Sequence, residues 1–218
     1  MAKRIFVTAT NTDIGKTYTS KRLIETFTKM GFRVGVYKPI ETGVETLPMD
    51  ANSLYELAKS YNPALESLGT SSAISLTFPL PAAPYVANQG RPIPISLFED
   101  AIRSLERLCD IVIIEGAGGL LVPIDAKTMM IDLPAQLCAV TLLVTHCRLG
   151  CINDTLLNLR LLDSLGLPYV WAYNCRENDH SFTQTSLPYF NAAFESVYSI
   201  QDDMETIAQR LLDTIPNE

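Results

Sequence analysis

"TATNTDIGKTYTS", residues 8–20, decides how the chain is read. It closes on Gly15-Lys16-Thr17, the ending of a phosphate-binding loop. The usual pattern, G-x-x-x-x-G-K-[ST], asks for glycine at position 10, and Thr10 stands there. The apolar run "RIFVTA" (4–9) precedes the stretch and a helical pattern (16–30) follows it. The first turn of a helix carries unpaired amides that point at an anion, and the helix dipole favours negative charge there. At such a junction Gly15 lets backbone approach a phosphate, Lys16 adds a point charge, and the Thr17 hydroxyl suits Mg²⁺.

Four further apolar runs, "RVGVYK" (33–38), "DIVIIEG" (110–116), "VTLLVT" (140–145) and "YVWAYN" (169–174), read as strands. They are continuous rather than alternating, as in a parallel sheet buried on both faces. Helical patterns lie between and beyond them, at 50–61, 96–108, 152–165 and 202–214. Ser96 and Glu99 are spaced as a capping box, and Gly31 and Gly166 sit where helices would end. This alternation predicts an α/β fold: a doubly wound, mainly parallel sheet flanked by helices in three layers, with residues 1–218 as one domain. The proline-rich stretch 67–95 shows no helix period and is expected to be a long loop of little regular structure and of functional use.

The chain has 218 residues, 47% of them hydrophobic, and a net charge of -7. That acidity, without a Lys/Arg run, argues against nucleic acid as partner. No apolar run reaches the roughly 18 residues a membrane span needs. There are five cysteines. Cys147 and Cys151 beside His146 could begin a zinc site, but a second ligand cluster is missing, so reduced structural thiols in the cytoplasm are expected. His146 and His180 show no Ser/Asp partner, which leaves a catalytic triad unsupported. The leucine-rich "LLNLRLLDSLGL" (156–167) reads as core packing.

Three more segments carry chemistry. "VYKPIETG" (36–43) puts Lys38 at the carboxyl end of the second strand, with Pro39 discouraging continuation, on the edge where open α/β sheets bind ligands. "DIVIIEGAGG" (110–119) ends a buried strand in Glu115, a natural second anchor for Mg²⁺, followed by glycines that let backbone approach a ligand. In "RLGCINDT" (148–155) Gly150 precedes a helix start that Asn153 can help cap, and free amides there could hold a second anion.

"TNTDIGKT", "KPIETG", "IEGAGGLLVPI" and "RLGCIN", in this order and at these intervals, resemble the dethiobiotin synthetase family of P-loop NTPases. The resemblance runs from about residue 3 to 175 and takes in the Pro81-Ala82-Ala83-Pro84 loop. It implies a cyclo-ligase of biotin biosynthesis that joins diaminopelargonic acid and CO₂ into a cyclic urea through a carbamate and its phosphoric anhydride, with ATP as co-substrate. It implies Thr17, Asp50 and Glu115 as Mg²⁺ ligands and Lys38, Lys16 and Thr12 as catalytic residues. The nucleotide would lie on Asp13, Ile14, Gly15, Lys16, Thr17, Tyr18, Glu115, Gly116, Ala117, Gly118, Asn174 and Cys175, with Asn174 reading the base. The diamine would meet Thr12, Lys38, Thr42, Gly150, Cys151, Ile152 and Asn153, the last four reaching over from the other subunit of a homodimer.

The departures from the family pattern are informative. The family's loop places its small residue one position earlier, where Ala9 lies, so Thr10 does not count against function. Asp50 is placed through "MDANSL" (49–54) after a shortened linker, and Thr42 stands where serine is common. A Gly-x-Ile-Pro base-pocket segment is absent from "FESVYSIQDDM" (194–204), so the resemblance leaves base preference open and allows a broad one. A partner-switching ATPase of the MinD/ParA kind would carry a lysine near the loop start, where Thr10-Asn11-Thr12 stand. A cobyrinic-acid-type amidotransferase would need an added glutamine-hydrolysing domain.

Overall fold

The computed structural model describes residues 2–176, 179 and 181–215. Among these, seven strands form one sheet: β1 (Lys3–Ala9), β2 (Val34–Thr42), β3 (Ile74–Phe78), β4 (Ile111–Gly119), β5 (Val140–His146), β6 (Tyr169–Asn174) and β7 (Tyr198–Ser199). Their order is β3-β2-β4-β1-β5-β6-β7, and every pairing is parallel. The helices are α1 (Lys16–Lys29), α2 (Met49–Tyr61), α3 (Pro84–Ala87), α4 (Ser96–Glu106), α5 (Asp132–Gln136), α6 (Cys151–Ser164), α7 (Phe182–Thr185), α8 (Leu187–Ala193) and α9 (Met204–Thr214).

The buried central strands carry the fold. Every residue of β5 is buried, as are the first six of β4 and the last five of β1. Such strands must be covered on both faces, so continuous apolar runs and flanking helices are one requirement. α1 packs beside α2 and α9, and Leu23, Ile24 and Phe27 of α1 enter the main core. A second apolar cluster joins Leu143 of β5 and Trp171 of β6 to Leu159 and Leu162 of α6 and to Phe190 of α8. The leucine-rich stretch is therefore divided: Leu159 and Leu162 are core, while Leu157 and Leu165 are exposed.

Several expectations are corrected. The stretch 67–95 contains the edge strand β3, which pairs with β2 from Lys38↔Ile74 to Thr42↔Phe78. β2 does not stop at Lys38. It leaves β4 after Tyr37↔Ile114 and runs on beside β3 through Pro39 to Thr42, so proline's missing N–H costs no bond to β4. Ser96 lies inside α4, whose cap is Ile95 with no side-chain hydrogen bond, so no capping box forms. Gly31 and Gly166 do follow helix ends at φ +91° and +62°. The cysteines are not all reduced: Cys147, just past β5, is joined to Cys175, just past β6, in a disulfide.

Candidate active site

β1 delivers the chain at Ala9 and α1 takes it up at Lys16. Between them Asp13 and Gly15 adopt positive φ, +56° and +103°, which bends the loop and, at Gly15, suits the residue without a Cβ. The loop is tied down through its carbonyls. The Asn174 amide donates to the Ile14 carbonyl at 2.7 Å, the Arg176 guanidinium to that of Asp13, and the Lys16 ammonium to that of Asn11 at 3.2 Å. α1 has no side-chain cap, leaving its amino end available to an anion.

Glu115 is the centre of the charged cluster and is wholly buried. Its Oε1 accepts from the Thr17 hydroxyl at 2.9 Å and from the Lys38 ammonium at 2.6 Å, and its Oε2 accepts from the Ser20 hydroxyl at 2.7 Å. Asp50 Oδ2 lies 3.4 Å from the same ammonium. Asp50 is presented by Glu41, whose carboxylate accepts the Asp50 and Ala51 amides at 3.1 and 3.0 Å and so caps α2. Burial works to lower the pKa of Lys38, and the Glu115 and Asp50 carboxylates outweigh it, so Lys38 is raised and stays charged. Lys16 is pulled the other way: burial first, then the Lys38 charge, bring it down to about 8.

A cleft of about 270 Å³ opens over this cluster. Thr12, Asp13, Gly15, Lys16, Thr17, Lys38, Thr42, Asp50, Glu115, Ala117 and Gly118 line it, together with Ile40, Glu41 and Arg176, which the sequence reading did not single out. The glycines after Glu115 explain how β4 borders the cleft. Register slips from Val7↔Glu115 to Ala9↔Gly119, so β4 bulges against the loop. Gly116 is pressed so closely to Phe6 that a Cβ would come within 2.9 Å of its ring. Ile14 is buried and Tyr18 exposed, and neither lines the cleft. Asn174, ending β6, backs the loop, and Cys175 just beyond it is held in the disulfide; neither lines the cleft.

Gly150, Cys151, Ile152 and Asn153 also lie outside the cleft lining, at the amino end of α6. Gly150 caps α6 at φ +99°, and Asn153 hydrogen-bonds Asp154 instead of capping. His146 has an acidic partner after all, Asp154 Oδ2 at 3.0 Å, and this pair fastens β5 to α6. His180 lies outside the described residues.

Thr17, Glu115 and Asp50 offer hard oxygen donors, and the ammonium of Lys38 already sits among the two carboxylates, so the set suits a cation. Among the described residues no group of three His, Cys, Asp or Glu side chains could hold a metal alone. Besides Arg176, the sequence reading missed Ser20 and Glu41. Ser20 stands one turn beyond Thr17, and that i, i+3 spacing was a usable signal. Glu41 had none, because its role depends on where α2 begins.

A family model described as an AAA domain matches residues 3–200. Among curated proteins, the ATP-dependent dethiobiotin synthetase BioD of Sulfurovum sp. (strain NBC37-1) is 42% identical, over 95% of this chain and 99% of its own. That of Wolinella succinogenes is 32% identical over 98% and 100%, and BioD 1 of Escherichia coli K12 is 34% identical over 80% and 78%. Two solved structures share the fold alone. The Borrelia burgdorferi plasmid partition protein has a TM-score of 0.56 at 13% identity, covering 99% of this chain and 100% of its own. The Aquifex aeolicus MinC:MinD cell division complex has a TM-score of 0.57 at 15%, covering 100% and 99%. Motif order, parallel-sheet architecture and full-length identity agree, and the chain belongs to the family of ATP-dependent dethiobiotin synthetases.

Proposed function

We propose that the chain, working as one domain, closes the ureido ring of dethiobiotin from 7,8-diaminononanoate, CO₂ and ATP with Mg²⁺. The observation that carries this reading is the convergence of Lys38, Asp50, Glu115 and Thr17 on the amino end of α1. Carbamate formation leaves an oxygen nucleophile that must meet a γ-phosphoryl group in line, and such transfer depends on positioning and charge neutralisation. Lys16 would lie along the phosphates. Thr17, Asp50 and Glu115 would hold Mg²⁺, which draws charge from the transferring group. Lys38, which lines the cleft along with Thr12 and Thr42, would hold the carbamate and stabilise charge as it develops. To reach it, Lys38 must loosen its bond to Glu115. The second amine then closes the ring and phosphate leaves.

The amino end of α6, Gly150 to Asn153, suits the carboxylate tail of the diamine. It lies outside the cleft lining, and Leu149 beside it is 88% exposed, which supports a homodimer in which one subunit's α6 completes its partner's site. Dependence on nucleoside triphosphate favours the cytoplasm; the Cys147–Cys175 disulfide is then unusual for its compartment. No helix among the described residues is long and apolar enough to cross a membrane. The test is phosphate release with bicarbonate, Mg²⁺ and ATP, with and without the diamine. Release is expected when the diamine is present; hydrolysis at an equal rate without it would sink the ligase reading.

A further inference from the structure

The sheet separates two sides of the phosphate loop. Lys38 on β2 and Glu115 on β4 lie to one side of β1, while Asn174, ending β6, lies on the other. If the reacting end of a nucleotide faces Lys38 and Glu115, the nucleoside leaves toward β6. Asn174 is close to the loop there: a Cβ on Gly15 would come within 2.2 Å of its amide nitrogen.

Both ends of the Asn174 side chain are already engaged. The Ile14 carbonyl can only accept, which fixes the Asn174 amide group toward it at 2.7 Å and turns Oδ1 away. That Oδ1 accepts from the Gln201 side-chain amide at 2.7 Å, and the same amide also donates to the Cys175 carbonyl at 2.7 Å. Gln201 is anchored in turn, because its backbone carbonyl accepts from the Arg22 guanidinium of α1 at 3.2 Å. With Asn174 only 7% exposed, its remaining N–H and lone pair have little room to meet a ligand.

We infer that Gln201 takes Asn174 out of base reading: it holds that amide as a tie between β6 and the phosphate loop, so the site accepts purine and pyrimidine triphosphates alike. This rests on the proposed nucleotide site and goes beyond it by naming a specificity-determining residue. A free asparagine discriminates well, because its amide matches the N6 and N7 edge of adenine. A tied one offers every base the same surface. Gln201 acts through Asn174 and is therefore a positioning residue.

The experiment measures dissociation constants of the non-hydrolysable imido analogues of ATP, GTP, CTP and UTP, with Mg²⁺. The proteins are the wild type, Asn174→Ala, Gln201→Met and Gln201→Ala, each checked for a cooperative thermal transition. In wild type the four constants should agree within about fivefold. Asn174→Ala should weaken all four by a similar factor, since it loosens the loop without removing a reader. Gln201→Met, which keeps the side-chain volume, frees Asn174. It should favour the adenine analogue over the pyrimidines by about tenfold, the lower part of the range for one bidentate base contact; Gln201→Ala should do the same. A wild-type preference above tenfold that Asn174→Ala abolishes would overturn the inference and leave the nucleotide site standing. Base ratios unmoved by both Gln201 variants would overturn it too. Failure of all four analogues to bind wild type would remove the nucleotide site itself and this inference with it.

Discussion

Lys38 Nζ lies 2.6 Å from Glu115 Oε1, and the two side chains are 5% and 0% exposed. Removing one member of so buried a pair leaves the other charge without compensation, which costs about 3–5 kcal/mol. Lys38→Met should therefore lower stability by that order and turnover by about a hundredfold or more, the scale of one lost oxyanion donor. Lys38→Met combined with Glu115→Gln should recover most of the stability and none of the turnover. Urea denaturation beside the phosphate assay separates the two effects. Near-normal turnover in the single variant would take Lys38 out of the chemistry.

Gly15 and Gly31 offer a matched comparison, with φ of +103° and +91°. Alanine costs about 1–2 kcal/mol at each from left-handed backbone alone. At Gly31 nothing lies within 4 Å of the new Cβ, whereas at Gly15 it would strike Asn174 at 2.2 Å. Gly31→Ala should lose that modest stability and keep nucleotide affinity. Gly15→Ala should lose affinity by more than tenfold, read by calorimetry with an ATP analogue. Equal affinities in the two variants would show that the loop's close packing is not needed for binding.

What the chain discloses before folding follows from how each element is held. β1, β4 and β5 are legible because burial on both faces demands continuous apolar runs. β3 is not, since it is a five-residue edge strand, mostly half-exposed, and proline follows it. Gly15-Lys16-Thr17 and Glu115 stand out because phosphate chemistry restricts residue type locally. Glu41, Arg176 and Gln201 do not, because their partners lie far along the chain: Gln201 reaches Asn174 across 27 positions and Arg176 reaches Asp13 across 163. Lys38 stands out by its residue type, but β2 does not end there, because Pro39 is tolerated where β2 has already parted from β4.

The thiols should count in steps. Cys109, Cys138 and Cys151 are free, and of these Cys138 alone is exposed. Burial pushes the Cys109 thiol up to about 12 and raises that of Cys151 as well. A thiol-reactive dye should label Cys138 quickly in the native protein and the other two free thiols after denaturation without reductant. Reductant should then expose Cys147 and Cys175. The bond closes a separation of 28 residues, so reducing it should lower stability by about 3–4 kcal/mol on the chain-entropy account. Five reactive thiols in denatured protein never exposed to reductant would mean that the bond does not form.

Asp125 gives a pH-dependent test. It is 8% exposed, and its carboxylate accepts the Ile93 amide at 3.0 Å, the Lys127 amide at 2.8 Å and the Thr128 amide at 2.9 Å, tying the proline-rich segment to the turn after β4. The bond from Ile93, despite opposition from desolvation, and those from Lys127 and Thr128 hold its pKa below the usual carboxylate range. A depressed folded pKa means that the ionised form stabilises the fold at pH above the unfolded value of about 3.9, and that this contribution is lost as pH falls through the lower folded value. Asp125→Asn keeps an oxygen for one side but turns an amide group toward the Ile93 N–H. The cost should be about 1–3 kcal/mol, as for hydrogen bonds to a charged group. Urea midpoints should therefore differ equally between wild type and variant at pH 7 and pH 5, and the gap should narrow at pH 3.5. A gap unchanged at pH 3.5 would show that shape, not charge, holds the segment in place.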